Sequence, residues 1–548
     1  MTMALNYKPD LSELTLREKI GQTCQMQSAY LMNMDDLELY LRENPIGNVW
    51  HTCNTAMTTV NLADLEIDAP ADSAFYRTWT QRMTKALRIP PLFTLDKPGS
   101  AHATDLLNLV NAPLIGAANS EALAEEYGKY LSCNCKALGA NSTWSPVVDI
   151  CSRFAVCGIM RATSDKPERL VPISLAMIKG GQAHGLGMCA KHFPGADRVE
   201  YRDSHFVCPK INDTKEAWWA EQGQVFQDMI DGGVWAIMPG HQGFPAVDDR
   251  KIGNYYMPAT LSYPILTELL KKEMHFDGVV VTDAIEMAAL KTAYPDKEDL
   301  FVALLNAGND ILLNVKRLDY IDIIERAVLD GRIPMERIDD AAGRVVEMKA
   351  KMGLFDDPAE VVMTDALRAE IRAFNRKVAE QALVLQCDEI SQLPLDPAKT
   401  KRIAIICSTH HEPFFLQLQA MKSELERRGI DVLLQRRLEG YEEITKIAAE
   451  YDRLLFVSYT APHAPMGGLG LYGEECATYF FALHEGREKS IGISFGSPYI
   501  YYDYCNNFPT YLHAFSPCDE SQIAVIKALF GEIPFSGFFP YEEPWKDE

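Results

Sequence analysis

No apolar run in the 548 residues approaches the roughly 20 needed to cross a bilayer as a helix. The opening stretch, MTMALNYKPDLSELTLREKI, lacks a basic segment leading into an apolar one, so a cytoplasmic protein is expected. Positive charge is scarce. Fifty-three Lys and Arg against 76 Asp and Glu leave a formal charge of −23, which excludes nucleic acid and anionic membranes as bulk partners. The CxxC spacing of zinc and redox sites is also missing: the thirteen cysteines are scattered, and the nearest pairs are Cys133/Cys135 and Cys151/Cys157. Free thiols in a reducing compartment are expected. There is no low-complexity tract, and 47% apolar with 24% charged residues is the composition of a folded globular chain.

What is present is alternation. From about residue 45 to 315, short apolar runs alternate with amphipathic stretches, the pattern of βα units around a parallel sheet. Strands are expected at 46–52, 90–96, 141–150, 186–193, 234–239, 277–283 and 309–313, with helices at 120–138, 215–232 and 259–274. That count approaches a (β/α)8 TIM-like barrel. Asp96, Asp149, Lys191, His192, His241 and Asp283 fall at or just past the ends of these runs, where barrel active sites are built. Any single strand-ending aspartate could equally cap the next helix. So many together are poorly explained by capping alone.

Two helices are expected over 316–355 and another over 362–386, followed by a Pro- and Asp-rich linker, CDEISQLPLDPAKT, at 387–400. Beyond it, strands at 402–407, 431–435, 453–459, 489–496 and 510–515 alternate with helices and predict a smaller α/β sandwich domain. The expected organisation is a catalytic domain over 1–360, a helix and linker over 361–400 and a C-terminal domain over 401–548. GLGLYG (468–473) matches GxGxxG but follows APHAPMG rather than a strand end, so it reads as a loop and not a nucleotide site.

Two segments look chemical. In KHFPGADRVEYRDSH (191–205), Lys191 and His192 end a strand, and Asp203 and His205 follow on a polar, glycine-marked loop. Residues two apart on an extended segment project to one side, so Asp203 can bond His205, fix its tautomer and raise its proton affinity. Such a pair can serve as a general acid/base, or can be two surface neighbours. In FDGVVVTDAIEM (276–287), three valines deliver Asp283 to a strand end. A carboxylate there can attack an anomeric carbon and form a glycosyl ester.

KHFPG with DSH, VVVTDAIEM, MPGH (238–241), PATLS (258–262) and ALNAGNDILL (304–313) together resemble the catalytic domain of family-3 glycoside hydrolases, with a loop like that of the β-N-acetylglucosaminidase branch. SFGSPY (494–499) and ALFGEIPFSGFFP (528–540) are similar to that family's C-terminal α/β domain. The resemblance implies Asp283 as nucleophile and His205 as acid/base oriented by Asp203. It implies Lys191, His192, Arg161, Asp96, His241 and Met287 as substrate-binding residues. A histidine acid/base leaves no carboxylate to repel an incoming anion, and some members of the branch are phosphorylases, so phosphate is a candidate acceptor in place of water.

The chain departs from the family pattern where Asp-Gln-Glu-Gly-Gly and an arginine are usual. DKPGSAHAT (96–104) keeps Asp96 but has neither the Glu nor the Arg, which alters sugar recognition more than the reacting centre. The loop also reads GADRVEYRDSH in place of a Gly-His-Gly run. Other members take a glutamate acid from the C-terminal domain, and Glu474 or Glu475 stands as that alternative. The expectation is a retaining, exo-acting β-glycosidase of the β-N-acetylhexosaminidase type acting on a small carbohydrate, with the altered second strand leaving its sugar unfixed by the sequence. A β-glycoside phosphorylase and a sugar-binding protein that has lost catalysis are the rivals. No cofactor and no metal are expected, since the His and Asp residues lack ligand spacing.

Overall fold

The computed structural model describes residues 5–32, 34–51, 72–96, 103, 105–150, 153, 155, 158–356, 360–410, 414–415, 418–460 and 470–544. It forms two compact units. The first comprises Met1–Leu107, Ala124–Ser152 and Ser174–Arg368; the second comprises Asn108–Leu123, Arg153–Ile173 and Ala369–Glu548.

In the first unit the strands are β1 (Cys24–Gln27), β2 (Asn48–Trp50), β3 (Leu92–Leu95), β4 (Ser142–Thr143), β5 (Cys189–Phe193), β6 (Ala236–Pro239), a small hairpin of β7 (Lys251–Ile252) and β8 (Tyr255–Tyr256), then β9 (Val279–Val280) and β10 (Leu312–Val315). They pair as a five-stranded sheet, β10-β1-β2-β3-β4, and a three-stranded sheet, β5-β6-β9, all parallel. Isolated parallel bridges, Ser142 to Gly187 and Val281 to Ile311, link the two sheets at both edges. Strands covered on both faces commonly read as near-continuous apolar runs. β3, LFTL, and β6, AIMP, are buried at every position. Leu92, Trp144, Cys189, Met238, Val279, Val281, Ile311 and Leu313 meet in one core with Val345 and Met348 of the helix Met335–Lys351.

β1 was not expected from sequence. CQMQ has no β-branched residue and two glutamines, yet all four positions are buried, and the Gln25 amide donates to Thr94 Oγ1 at 2.8 Å. The helix expected over 215–232 is continuous from Lys215 to Asp231, with one π turn at Trp219–Gly223. Thr214 caps it by accepting from the Ala217 amide.

The second unit is built on a six-stranded sheet of β11 (Val384–Asp388), β12 (Arg402–Thr409), β13 (Asp431–Arg436), β14 (Arg453–Tyr459), β15 (Ser490–Ser494) and β16 (Thr510–His513). Its order is β11-β16-β15-β14-β12-β13, parallel except for β11. The helix read over 362–386 ends at Ala382, and β11 begins at Val384. Val, Leu and Cys in VLQCD favour a strand once an edge is available beside β16. Within 387–400, Leu395 is buried, and Gln392 donates to Ser490 O and Thr510 Oγ1.

No described helix is long and apolar enough to cross a membrane. Among the described residues no cluster of three or more His, Cys, Asp or Glu is placed to hold a metal ion, and the described cysteines are free thiols.

Candidate active site

The polar residues singled out in the first unit gather at the C-terminal ends of its parallel strands. Asp283 follows β9, anchored by its own amide to Pro239 O at 3.1 Å, and its Oδ1 accepts the Ala284 amide at 2.7 Å. Its side chain is one-fifth exposed. Burial pushes its pKa up, but His192, His241, His205 and the Ala284 amide outweigh that, and the carboxyl titrates below its ordinary value. It is therefore ionised at neutral pH.

His192 ends β5 and is held twice by Asp149, which accepts from the backbone amide at 2.8 Å and from Nδ1 at 2.7 Å. A proton on Nδ1 turns Nε2 toward Asp283 Oδ2, 4.0 Å away. That gap is too long for a direct hydrogen bond. Lys191, almost fully buried, donates from Nζ to Asp96 Oδ1 at 3.0 Å. Asp149 was placed at a strand end by sequence but given no role, because nothing in VVDI announces a histidine partner on the next strand.

His241 follows β6 and is completely buried. Its Nε2 lies 3.0 Å from Ala284 O and its Nδ1 2.9 Å from Thr260 Oγ1. A carbonyl can only accept, so Nε2 carries the proton and Nδ1 accepts from the threonine hydroxyl. Burial lowers its pKa, against the pull of Asp283 and the Ala284 carbonyl, and keeps the ring neutral. Thr260, in the PATLS segment, was not expected at the site.

Asp203 and His205 sit on the loop after β5. Asp203 Oδ1 accepts from His205 Nδ1 at 2.6 Å and from the His205 amide at 2.9 Å. The Asp203 side chain is buried and the His205 ring is about a quarter exposed (27%). The loop tip is tied to the segment after Asp283, because Ala288 N donates to His205 O at 3.2 Å. Met287, buried, precedes the helix Ala288–Ala293 on that segment. Buried Trp218 donates to Pro194 O at 2.6 Å and pins the start of the loop.

The structure thus brings together Asp96, Lys191, His192, Asp203, His205, His241, Asp283 and Met287 in the first unit. Arg161 belongs to the second unit, as do Glu474 and Glu475. Glu475 is buried there, accepting from the Thr409 amide at 3.0 Å and from Arg436, while the exposed Glu474 pairs with Arg437 at 2.6 Å. Of DKPGSAHAT only Asp96 and Ala103 are among the described residues, and of the GLGLYG loop only Gly470–Gly473.

A model of the glycosyl hydrolase family 3 N terminal domain matches residues 15–348, well over half of the chain. The chain belongs to glycosyl hydrolase family 3. It is a glycoside hydrolase by that membership. A relative from Cellulomonas fimi, named beta-N-acetylglucosaminidase/beta-glucosidase, is 25% identical over 479 residues, covering 83% of this chain and 84% of its own. The solved beta-glucoside phosphorylase BglX superposes with a TM-score of 0.82 at 23% identity, over 97% of this chain and 94% of its own. A family-3 beta-N-acetylglucosaminidase from Paenibacillus sp. str. FPU-7 superposes at 0.80 with 24% identity, over 96% and 99%. At these identities the two structures speak for the fold of this family-3 member.

Proposed function

We propose that this protein is a retaining, exo-acting β-glycosidase of the β-N-acetylhexosaminidase type, working by double displacement on a small carbohydrate. Asp283 attacks the anomeric carbon and forms a glycosyl ester. His205 Nε2 gives its proton to the leaving oxygen, then takes one from the incoming water. Asp203 holds His205 in the tautomer this needs. The observation that carries the reading is the 2.6 Å Asp203–His205 bond on a loop whose tip is bonded to the segment following an ionised Asp283.

Asp149-held His192 presents an acceptor and Asp96-paired Lys191 a donor to sugar hydroxyls beside Asp283, with Met287 as a further substrate residue. His241 acts through the protein: by holding Ala284 O it fixes the residue whose amide orients Asp283. We read the first unit as the (β/α)8 barrel of a catalytic domain over 1–360, a reading supported by the five- and three-stranded parallel sheets bridged at both edges. A helix and linker over 361–400 and an α/β sandwich over 401–548 follow it. The protein works in the cytoplasm.

Phosphorolysis is the second reading. It is favoured by a histidine acid/base in place of a second carboxylate facing the acceptor, and by the fold shared with a beta-glucoside phosphorylase. One experiment separates the readings: aryl β-glucoside, β-xyloside, β-galactoside and β-N-acetylglucosaminide turned over with and without phosphate. Phosphate-independent release of free sugar, fastest with the N-acetylglucosaminide, is expected. Sugar 1-phosphate formed only with phosphate would overturn hydrolysis. No turnover of any glycoside under either condition would favour a binding protein.

A further inference from the structure

Residues 194–213 contain no helix, and the dyad lies at the middle of this stretch. Ordering so long a loop costs on the order of 1–2 kcal/mol per residue in backbone entropy. Apolar burial does not supply the compensation at its outer part, because Val199, Tyr201 and Phe206 are all more than half exposed (74%, 55% and 54%). Carboxylates do the holding instead.

Asp197 is buried and accepts four hydrogen bonds. Its Oδ1 takes the amides of Val199 (2.7 Å) and Glu200 (3.0 Å), and its Oδ2 takes the amide (2.6 Å) and side chain (2.9 Å) of Asn212. It ties the way into the loop to the way out. Glu200, next inward, accepts from the Arg202 amide at 3.1 Å and Nε at 2.9 Å and braces the chain just before Asp203. The two acids form successive rungs, 197 to 212 and 200 to 202, the first enclosing Asp203 and His205 and the second leading into them. Burial pushes both carboxyls up, but these hydrogen bonds outweigh it and hold each below its ordinary pKa.

We propose that Asp197 and Glu200 are positioning residues for proton transfer: carboxylate rungs, one across the loop and one at the turn before the dyad, that hold the Asp203–His205 loop in its working shape. The inference rests on His205 being the acid/base. Neither carboxylate touches the reacting atoms, so a change at either is felt through the placement of His205.

The test uses leaving groups of different need. A 2,4-dinitrophenyl glycoside departs without a proton, whereas a methyl glycoside requires one. The full chain carrying Asp197→Asn, Glu200→Gln or His205→Ala is compared with wild type by kcat/KM on 2,4-dinitrophenyl and methyl β-N-acetylglucosaminide. His205→Ala is expected to lose roughly 100- to 10,000-fold on the methyl glycoside and little on the aryl one. Asp197→Asn and Glu200→Gln are expected to lose roughly 10- to 100-fold on the methyl glycoside, again with the aryl substrate spared. Equal losses on both substrates, or none, in the two rung variants while His205→Ala remains selective would overturn the positioning role alone. A His205→Ala enzyme without selectivity would overturn the acid/base reading itself. Should Asp197→Asn fail to fold, Glu200→Gln, whose partner Arg202 is surface-exposed, carries the same comparison.

Discussion

At the starts of the parallel strands in the first unit, Asp310 is fully buried and accepts from Lys271 Nζ at 2.8 Å, from Arg337, and from the Val280 amide at 2.9 Å. Asp340 joins this cluster through Lys271, Arg337 and Arg344, and Arg344 reaches Gly278 O at 2.9 Å. At the ends of the same strands, Asp283 keeps a partly open face and stands 4.0 Å from His192 Nε2. One end matches charge with charge until little is left for solvent. The other orients its groups from behind, Asp283 through the Ala284 amide and His192 through Asp149. Stability is concentrated at the first end and reactivity at the second, so the two can be perturbed separately.

The sharpest break in this contrast is Asp283→Asn. It should lower kcat/KM by roughly four orders of magnitude or more, while the thermal midpoint falls only slightly, since asparagine keeps the Oδ1 that accepts the Ala284 amide and gives up only the carboxylate's attraction to the surrounding histidines. Steady-state kinetics and calorimetry on one preparation read both. Asp310→Ala should do the reverse. Leaving Lys271 and Arg337 without their buried partner costs about 3–5 kcal/mol in urea unfolding, with the kcat of the folded enzyme within about threefold of wild type. A large kcat loss in that variant would erase the division.

Acid sharpens the comparison. Burial pushes Asp340 up, but Lys271, Arg337 and Arg344 prevail and bring it from 3.8 to about 2. A folded pKa below the unfolded one gives stability that is full above pH 3.8 and is lost as pH falls toward about 2. The urea midpoint should drop through that window in wild type and drop less in Asp340→Asn. The smallest effect is expected from Thr260→Val, which removes the hydroxyl donated to His241 Nδ1. It should cost about 1–2 kcal/mol of stability and lower kcat several-fold with KM little changed, because Asp283 is touched only through Ala284.

Much of this was legible in the sequence because apolar runs and strand ends are local signals. VVVTD announces both β9 and the residue delivered at its end, and RLLFVSY is a strand in full. β1 was not legible, since CQMQ is made apolar by its surroundings rather than by its composition. β11 was hidden because VLQCD continues a helical pattern until the edge of β16 captures it. At the site, the Asp203–His205 pair is two residues apart and could be anticipated. The Asp149–His192 and His241–Thr260 pairs join different strands or loops, and no spacing along the chain encodes them.

The bond from Ala288 N to His205 O has a kinetic meaning. The dyad loop cannot swing away from the Asp283 side without exposing that amide to solvent. Ala288 is therefore a natural reporter: its deuterium uptake counts the openings through which product can depart, and a bound sugar that keeps the loop shut should slow that exchange.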